Sequence, residues 1–202
     1  MNGSVLICPA YRAFSGKRPN PSRLPGEPDA GVGVGCLVPS DEGILTQTRM
    51  DRLNVDVTLA VGRNHSIPLD DAMFDIILAC QACYYVDPGK QFNDNIKEIS
   101  RVLRPGGMFI FSAPIGTCYI MQGAQDTGDG HMIITNDPYG VRNGYMMKKF
   151  DSESEVRTSL ASDFDNLAIG SCRNDSGALK SMSGSWFATG KEGTKPDGFV
   201  RS

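Results

Sequence analysis

No stretch of this 202-residue chain approaches the ~20 consecutive apolar residues that a bilayer-spanning helix needs, so no membrane-spanning helix is expected. Charge of neither sign dominates: 20 Lys and Arg stand against 23 Asp and Glu, a net charge of −3, which gives no general basic footprint for nucleic acid. Met1–Cys8 has no basic lead and too short an apolar core for a secretory signal, and a cytoplasmic protein is the expectation. The six cysteines, at 8, 36, 80, 83, 118 and 172, are scattered. Cys80-Gln81-Ala82-Cys83 is a C-x-x-C, but no second pair lies at zinc-ligand spacing, so no metal site is expected. These cysteines read as reduced, small hydrophobes at a strand end. Histidine is scarce too: His65 and His131 are the two candidates for a base of that type.

What is present is an α/β pattern. Asp75-Ile76-Ile77-Leu78-Ala79-Cys80 is a short, continuously apolar run, as in a parallel strand covered on both faces. Phe92, Ile96, Ile99 and Leu103 then recur at spacings of four, three and four, which predicts one buried helical stripe over 92–103. Pro105 and Gly106-Gly107 stop that helix and turn the chain. Met108-Phe109-Ile110-Phe111-Ser112 is a second buried strand. Strand, helix, strand in this order is a right-handed parallel crossover unit.

Residues 1–30 read as an irregular segment, because Pro19, Pro21, Pro25 and Pro28 rule out a regular helix there. Residues 31–190 read as the α/β domain and 191–202 as a frayed tail. Within the domain, 116–145 is a polar, Gly-rich insertion, followed by a helix from about Ser152 to Leu160. Two strand candidates close it, Leu167–Cys172 and Ser185–Gly190.

Phe74-Asp75 and Arg101-Val102-Leu103-Arg104-Pro105-Gly106-Gly107 closely resemble the phrases that open the fourth strand and precede the fifth in class I S-adenosylmethionine-dependent methyltransferases of the type 11 kind. The resemblance implies a Rossmann-like α/β fold with a seven-stranded, mostly parallel sheet, helices on both faces and one antiparallel strand near the C-terminus. It implies S-adenosyl-L-methionine as cofactor and an enzyme that transfers a methyl group to an acceptor. The acidic residue that often meets the adenine falls at Arg63 here. Gly62, Arg63, Asn64 and His65, after the third strand, and Cys80 and Gln81, at the end of the fourth, are the cofactor-side positions. Tyr84 and Tyr85 read as packing residues, with Tyr85 placed to cover the cofactor.

Two registrations exist for the first half of the cofactor site. Asp29-Ala30-Gly31-Val32-Gly33-Val34-Gly35 spells the family's glycine-rich expression, yet Leu24–Pro28 cannot form the strand that should precede it. At about 11 residues per helix and 5 per strand, 36–56 is also too short for what should follow. In the second frame Val5–Cys8 is the first strand, Val32–Val38 the second, and Ser40 caps a helix through about Leu53. That frame fits the lengths better, and it makes the first crossover irregular or incomplete. Val38 then occupies the position of the acid that grips the ribose hydroxyls. Losing that partner corresponds to ~2–3 kcal/mol, roughly a hundredfold in affinity. A scaffold that binds cofactor weakly is therefore the alternative to an active enzyme. A nicotinamide-dependent enzyme would need G-x-G-x-x-G after a true first strand, and neither frame has it.

Loops beyond the carboxyl ends of the strands form the ligand crevice in this fold, so the 116–145 insertion is the expected acceptor lid. His131 is the candidate general base, and Asn136, Tyr139, Asn143 and Tyr145 are the expected acceptor contacts. The net charge favours a small-molecule acceptor over nucleic acid.

Overall fold

The computed structural model describes residues 4–7, 33–38, 57–137, 140, 142–176 and 179–190. Four parallel strands open the fold: β1 Ser4–Ile7, β2 Gly33–Val38, β3 Val57–Val61 and β4 Phe74–Cys80. After β4 come a short strand β5, Tyr85–Val86, the helix α1, Phe92–Val102, and the long strand β6, Leu103–Pro114. Three short strands follow: β7 Gln125–Asp126, β8 His131–Ile133 and β9 Met146–Lys148. Helix α2, Glu153–Leu160, leads to the closing hairpin of β10, Asp165–Ser176, and β11, Leu179–Gly190.

The main sheet runs β3-β2-β1-β4-β6-β11-β10. β11 is antiparallel to both neighbours, β6 and β10, while the pairings among β3, β2, β1, β4 and β6 are parallel. The α/β, Rossmann-like expectation and its single antiparallel strand near the C-terminus are met in this order. Strand β1 sits between β2 and β4, so the chain reverses direction of travel across the sheet there. That reversal is the switch point at which such sheets bind ligands.

The strand placement decides between the two registrations. Gly33 and Gly35 lie inside β2, paired with Ser4 and Leu6 of β1. The literal glycine motif is therefore strand rather than cofactor turn. The reason is local: alternating Val and Gly without a proline extends readily once β1 offers a parallel partner. The first crossover and the helix expected from Ser40 fall outside the described residues.

One face of the sheet carries the densest core. Leu6, Ile77, Ala79, Phe109 and Phe111 are fully buried. Phe109 stacks on Phe111 with ring centroids 5.1 Å apart and meets Phe164 at 5.2 Å. Ile96 and Ile99 of α1 and Val156 and Leu160 of α2 are buried as well, each worth ~1.5–3 kcal/mol by removal from water. Burial along β4 alternates, with Ile76 exposed and Ile77 buried, so the expected equal cover on both faces is not what the strand shows.

Helix α1 starts where Gln91 N–H donates to the Asp94 carboxylate at 2.9 Å. Arg101, in its last turn, reaches back to the loop before β4. The guanidinium donates to the carbonyls of Ile67 at 2.7 Å and Leu69 at 2.8 Å, to Asp71 at 2.7 Å, and by two nitrogens to Glu98. Helix α2 is capped by Ser152, whose Oγ accepts from the N–H of Glu155.

The 116–145 insertion is not the open loop expected from its Gly and Asp content. It supplies β7 and β8 to a second, antiparallel sheet of order β5-β9-β8-β7. Turn residues mark only the bends, such as Gly128 and Gly130 at positive φ, while Met132, Met147 and Ile134 bury beneath.

Candidate functional site at the carboxyl ends of the strands

The segment after β4 is where the site takes shape. Gln81 follows the last strand residue at φ +57°, a left-handed conformation that costs a residue other than glycine on the order of 1–3 kcal/mol. Four hydrogen bonds hold it. Its N–H donates to the carbonyl of Ser112 at 3.2 Å and to Ser112 Oγ at 3.0 Å. Its Nε2 donates to the same Oγ at 3.1 Å, and its Oε1 accepts from the Tyr84 hydroxyl at 3.0 Å. Ser112 is fully buried on β6, in register with Cys80.

Two asparagines clamp the next turn. Asn95, buried on α1, donates to the carbonyls of Cys83 at 2.9 Å and Tyr85 at 2.8 Å. Asn64, after β3, donates to the carbonyls of Ala82 at 3.1 Å and Tyr85 at 3.4 Å. Arg63 and His65 flank it, each directed at Asp87, at 3.3 and 2.9 Å. Three of the expected cofactor-side residues, Arg63, Asn64 and His65, thus brace the loop after β4. Gly62 lies half-buried directly after β3, and Cys80 ends β4 with its thiol pushed up by burial.

On the side of the small sheet, Tyr84 and Tyr85 are buried with ring centroids 4.6 Å apart. Their phenols are both pushed above the usual range, chiefly by burial. Tyr145 meets Tyr85 edge-on at 6.0 Å. Asp137, 5 % exposed, accepts from the N–H of Arg142 at 3.0 Å and from its Nε at 3.2 Å. Arg142 also donates to the Tyr119 hydroxyl at 3.2 Å. Asn143 accepts from the N–H of Asp137 at 2.8 Å through its side-chain oxygen, and Asn136 is exposed. Tyr139 lies outside the described residues.

His131 sits on β8 rather than in a loop, and it is 2 % exposed. Its Nδ1 lies 2.9 Å from Asp129 Oδ1, while Nε2 is buried without a hydrogen-bond partner among the described residues. Asp129 also accepts from the Thr127 hydroxyl, which with His131 holds its carboxyl well below the usual range.

Sequence reasoning singled out Gln81 and Tyr85 on the cofactor side and Asn143 and Tyr145 on the acceptor side, and it missed the hydrogen-bonding groups beside them: Tyr84 and Ser112 at Gln81, and Tyr119, Asp137 and Arg142 at the β8–β9 loop. The available signal was the acid–base pair Asp137 and Arg142 inside an otherwise uncharged, turn-rich stretch of 132–147.

Residues 31–111 match the family model described as a methyltransferase domain. Over that stretch, 81 of the 202 residues, the chain is similar to a methyltransferase domain. An uncharacterized methyltransferase from Mycobacterium bovis is 47 % identical over 47 residues, a stretch that covers 23 % of this chain and 18 % of that protein. The domain is therefore matched to less than a fifth of that relative's length. Among solved structures, a SAM-dependent methyltransferase from Methanosarcina mazei superposes with a TM-score of 0.65 at 15 % identity, covering 95 % of this chain and 93 % of that one. A Burkholderia thailandensis 1,6-didemethyltoxoflavin-N1-methyltransferase, with 1,6-didemethyltoxoflavin and S-adenosylhomocysteine bound, gives 0.54 at 18 %, covering 95 % and 72 %. At such identities these two establish the shared domain fold.

Proposed function

We propose that this chain transfers a methyl group from S-adenosylmethionine to a small-molecule acceptor in the cytoplasm. The observation that carries the reading is the reversal of strand order at β1, which puts a crevice beside the carboxyl end of β4, where Gln81 is held in a strained backbone conformation. A strained, four-times-anchored residue at a switch point fits a ligand-facing role better than a packing role.

The residues fit the cofactor on the β4 side. Gly62, Cys80, Gln81 and Tyr85 would hold it there, with Arg63, Asn64 and His65 acting from behind by fixing the loop that carries Tyr85. Bound, the cofactor supplies a methyl group already activated on a sulfonium. What remains for the protein is to hold the acceptor in line and to take a proton where the acceptor has one to lose. Asn136, Tyr139, Asn143 and Tyr145 are the proposed acceptor-side groups, and His131 the proposed base. Nδ1 beside the Asp129 carboxylate favours the tautomer with its proton there, which leaves Nε2 as an acceptor.

Nothing in the composition gives the basic surface that a nucleic-acid substrate would call for. No helix among the described residues is long and apolar enough to cross a membrane. Isothermal titration with S-adenosylmethionine and S-adenosylhomocysteine tests the reading. Saturable binding is expected, weaker than in relatives with an acid at the end of β2. Absence of binding at millimolar ligand, from protein shown to be folded, would replace the enzyme with a scaffold.

A further inference from the structure

Asn95 is a polar residue in an apolar place. It stands on the buried stripe of α1, three residues after Phe92 and four before Ile99, and it is fully buried. Its side-chain nitrogen carries two N–H groups. Both reach across to the turn after β4, to the carbonyls of Cys83 at 2.9 Å and Tyr85 at 2.8 Å. Both targets are acceptors, so the amide faces them with its nitrogen. That orientation leaves Oδ1 buried with no hydrogen-bond partner among the described residues. A buried acceptor left unmet opposes folding, and an apolar residue would fill the stripe without it. The amide serves the turn rather than the helix.

The turn has a second hold of the same kind. Asn64, arriving from β3, donates to the carbonyls of Ala82 at 3.1 Å and Tyr85 at 3.4 Å. The Tyr85 carbonyl thus accepts from two amides on two different segments of the chain. Between these points the Tyr84 carbonyl accepts from the backbone N–H of Lys148 at 2.8 Å. At the start of the turn Gln81 is pinned to Ser112 Oγ by its N–H and its Nε2.

We propose that Asn95 is a positioning residue for Gln81 and Tyr85: from α1 it fixes the backbone between them, and Asn64 shares that hold at the Tyr85 carbonyl. The inference rests on the reading that the turn after β4 faces the cofactor. Asn95 acts through the backbone of 83–85, and a small displacement of the groups that hold a ligand costs binding out of proportion to its size.

Titration of wild-type, Asn95→Ala and Asn64→Ala protein with S-adenosylhomocysteine, each well below its melting temperature, tests this. Each variant is expected to bind about 3- to 10-fold more weakly than wild type. The double variant should lose more than the product of the singles, because only there does the Tyr85 carbonyl lose both donors. Gly107→Ala separates positioning from plain loss of stability. It sets a Cβ 2.9 Å from the Asp75 carbonyl, at the opposite end of β4, so it should melt lower yet bind like wild type. Wild-type affinity in Asn95→Ala, or an equal loss in Gly107→Ala, would overturn the proposal. A double variant that merely multiplies the singles would overturn the shared hold at Tyr85. If Asn95→Ala fails to fold, Asn64→Ala decides by the same criteria, since it frees the same carbonyl. A wild-type protein that binds no ligand removes the cofactor reading and the proposal together, whereas wild-type binding with an unchanged Asn95→Ala removes the proposal alone.

Discussion

His131 Nδ1 and Asp129 Oδ1 stand 2.9 Å apart, the imidazole buried on β8 and the carboxylate half-exposed at the turn before it. The pair sets the tautomer. In protein labelled with ¹⁵N at histidine, the His131 signals should report a proton on Nδ1 and a bare Nε2. Asp129→Asn should blur that preference, because an amide can donate as well as accept. If His131 is the proton acceptor of the reaction, His131→Gln should lower kcat by ~10²–10⁴-fold with KM little changed, in a methyl-transfer assay once an acceptor is found. A change confined to KM would assign the residue to binding.

Val38 ends β2, in register with Val61 of β3, and the resemblance to class I methyltransferases implies that an acid at this position would meet the cofactor ribose. Placing a carboxylate there supplies acceptors for two hydroxyls that valine leaves unmet. Val38→Asp should tighten S-adenosylhomocysteine binding by ~10- to 100-fold. Titration calorimetry reads this directly, and an unchanged or weaker affinity would show that the cofactor ribose does not lie beside this strand end.

Arg101 joins helix α1 to the loop before β4 by three hydrogen bonds, to Ile67, Leu69 and Asp71, and makes two more to Glu98 of its own helix. Arg101→Met should destabilise the fold by ~2–3 kcal/mol, read as a lower urea midpoint. The pH dependence follows. The hydrogen bond from Arg101 holds the Glu98 carboxyl below its usual range, against an opposing contribution from burial. A carboxyl lowered on folding stabilises the native state above its unfolded pKa of ~4.3, and that stability is lost as pH falls through the folded value. Wild-type protein should therefore lose more stability between pH 6 and pH 3 than Arg101→Met does.

Gly107 tolerates no side chain. A Cβ built there would lie 2.9 Å from the Asp75 carbonyl oxygen and 2.8 Å from Leu103 Cδ1. The carbonyl belongs to the neighbouring strand β4 and cannot step aside without disturbing the sheet. Gly107→Ala should cost ~1–3 kcal/mol by overpacking, whereas Gly123→Ala, at an open turn with φ +77° and nothing within 4 Å, should show only the smaller backbone penalty. Thermal melting of the two variants side by side makes the comparison.

The elements legible in the sequence were those in which local pattern and tertiary surroundings agree. Phe92, Ile96 and Ile99 announced α1, and the structure begins and ends that helix within a residue of the expectation. Strands β4 and β6 announced themselves as apolar runs, and α2 as a helix from about Ser152 to Leu160. The small sheet was missed because its strands are two or three residues long, too short for any periodicity to register. The hairpin strands β10 and β11 extend beyond the apolar stretches that marked them, since Arg173-Asn174-Asp175-Ser176 carries no strand signal and pairs only because its partner is adjacent. Site geometry was legible in part. Gln81 and Tyr85 could be located by their place after β4, but that Asn64 holds the backbone of that loop depends on a fold that brings 64 beside 82.

The position of β11 carries a consequence for how the molecule is made. It lies between β6 and β10 and arrives last of the three. A growing chain on the ribosome presents β10 before the strand that joins it to the sheet exists, and β6 keeps a bare, Phe-rich edge until residue 190 has emerged. Translation must pass that point before the hydrophobic edge is sealed, which makes a pause or a premature stop between 165 and 179 the step most exposed to aggregation.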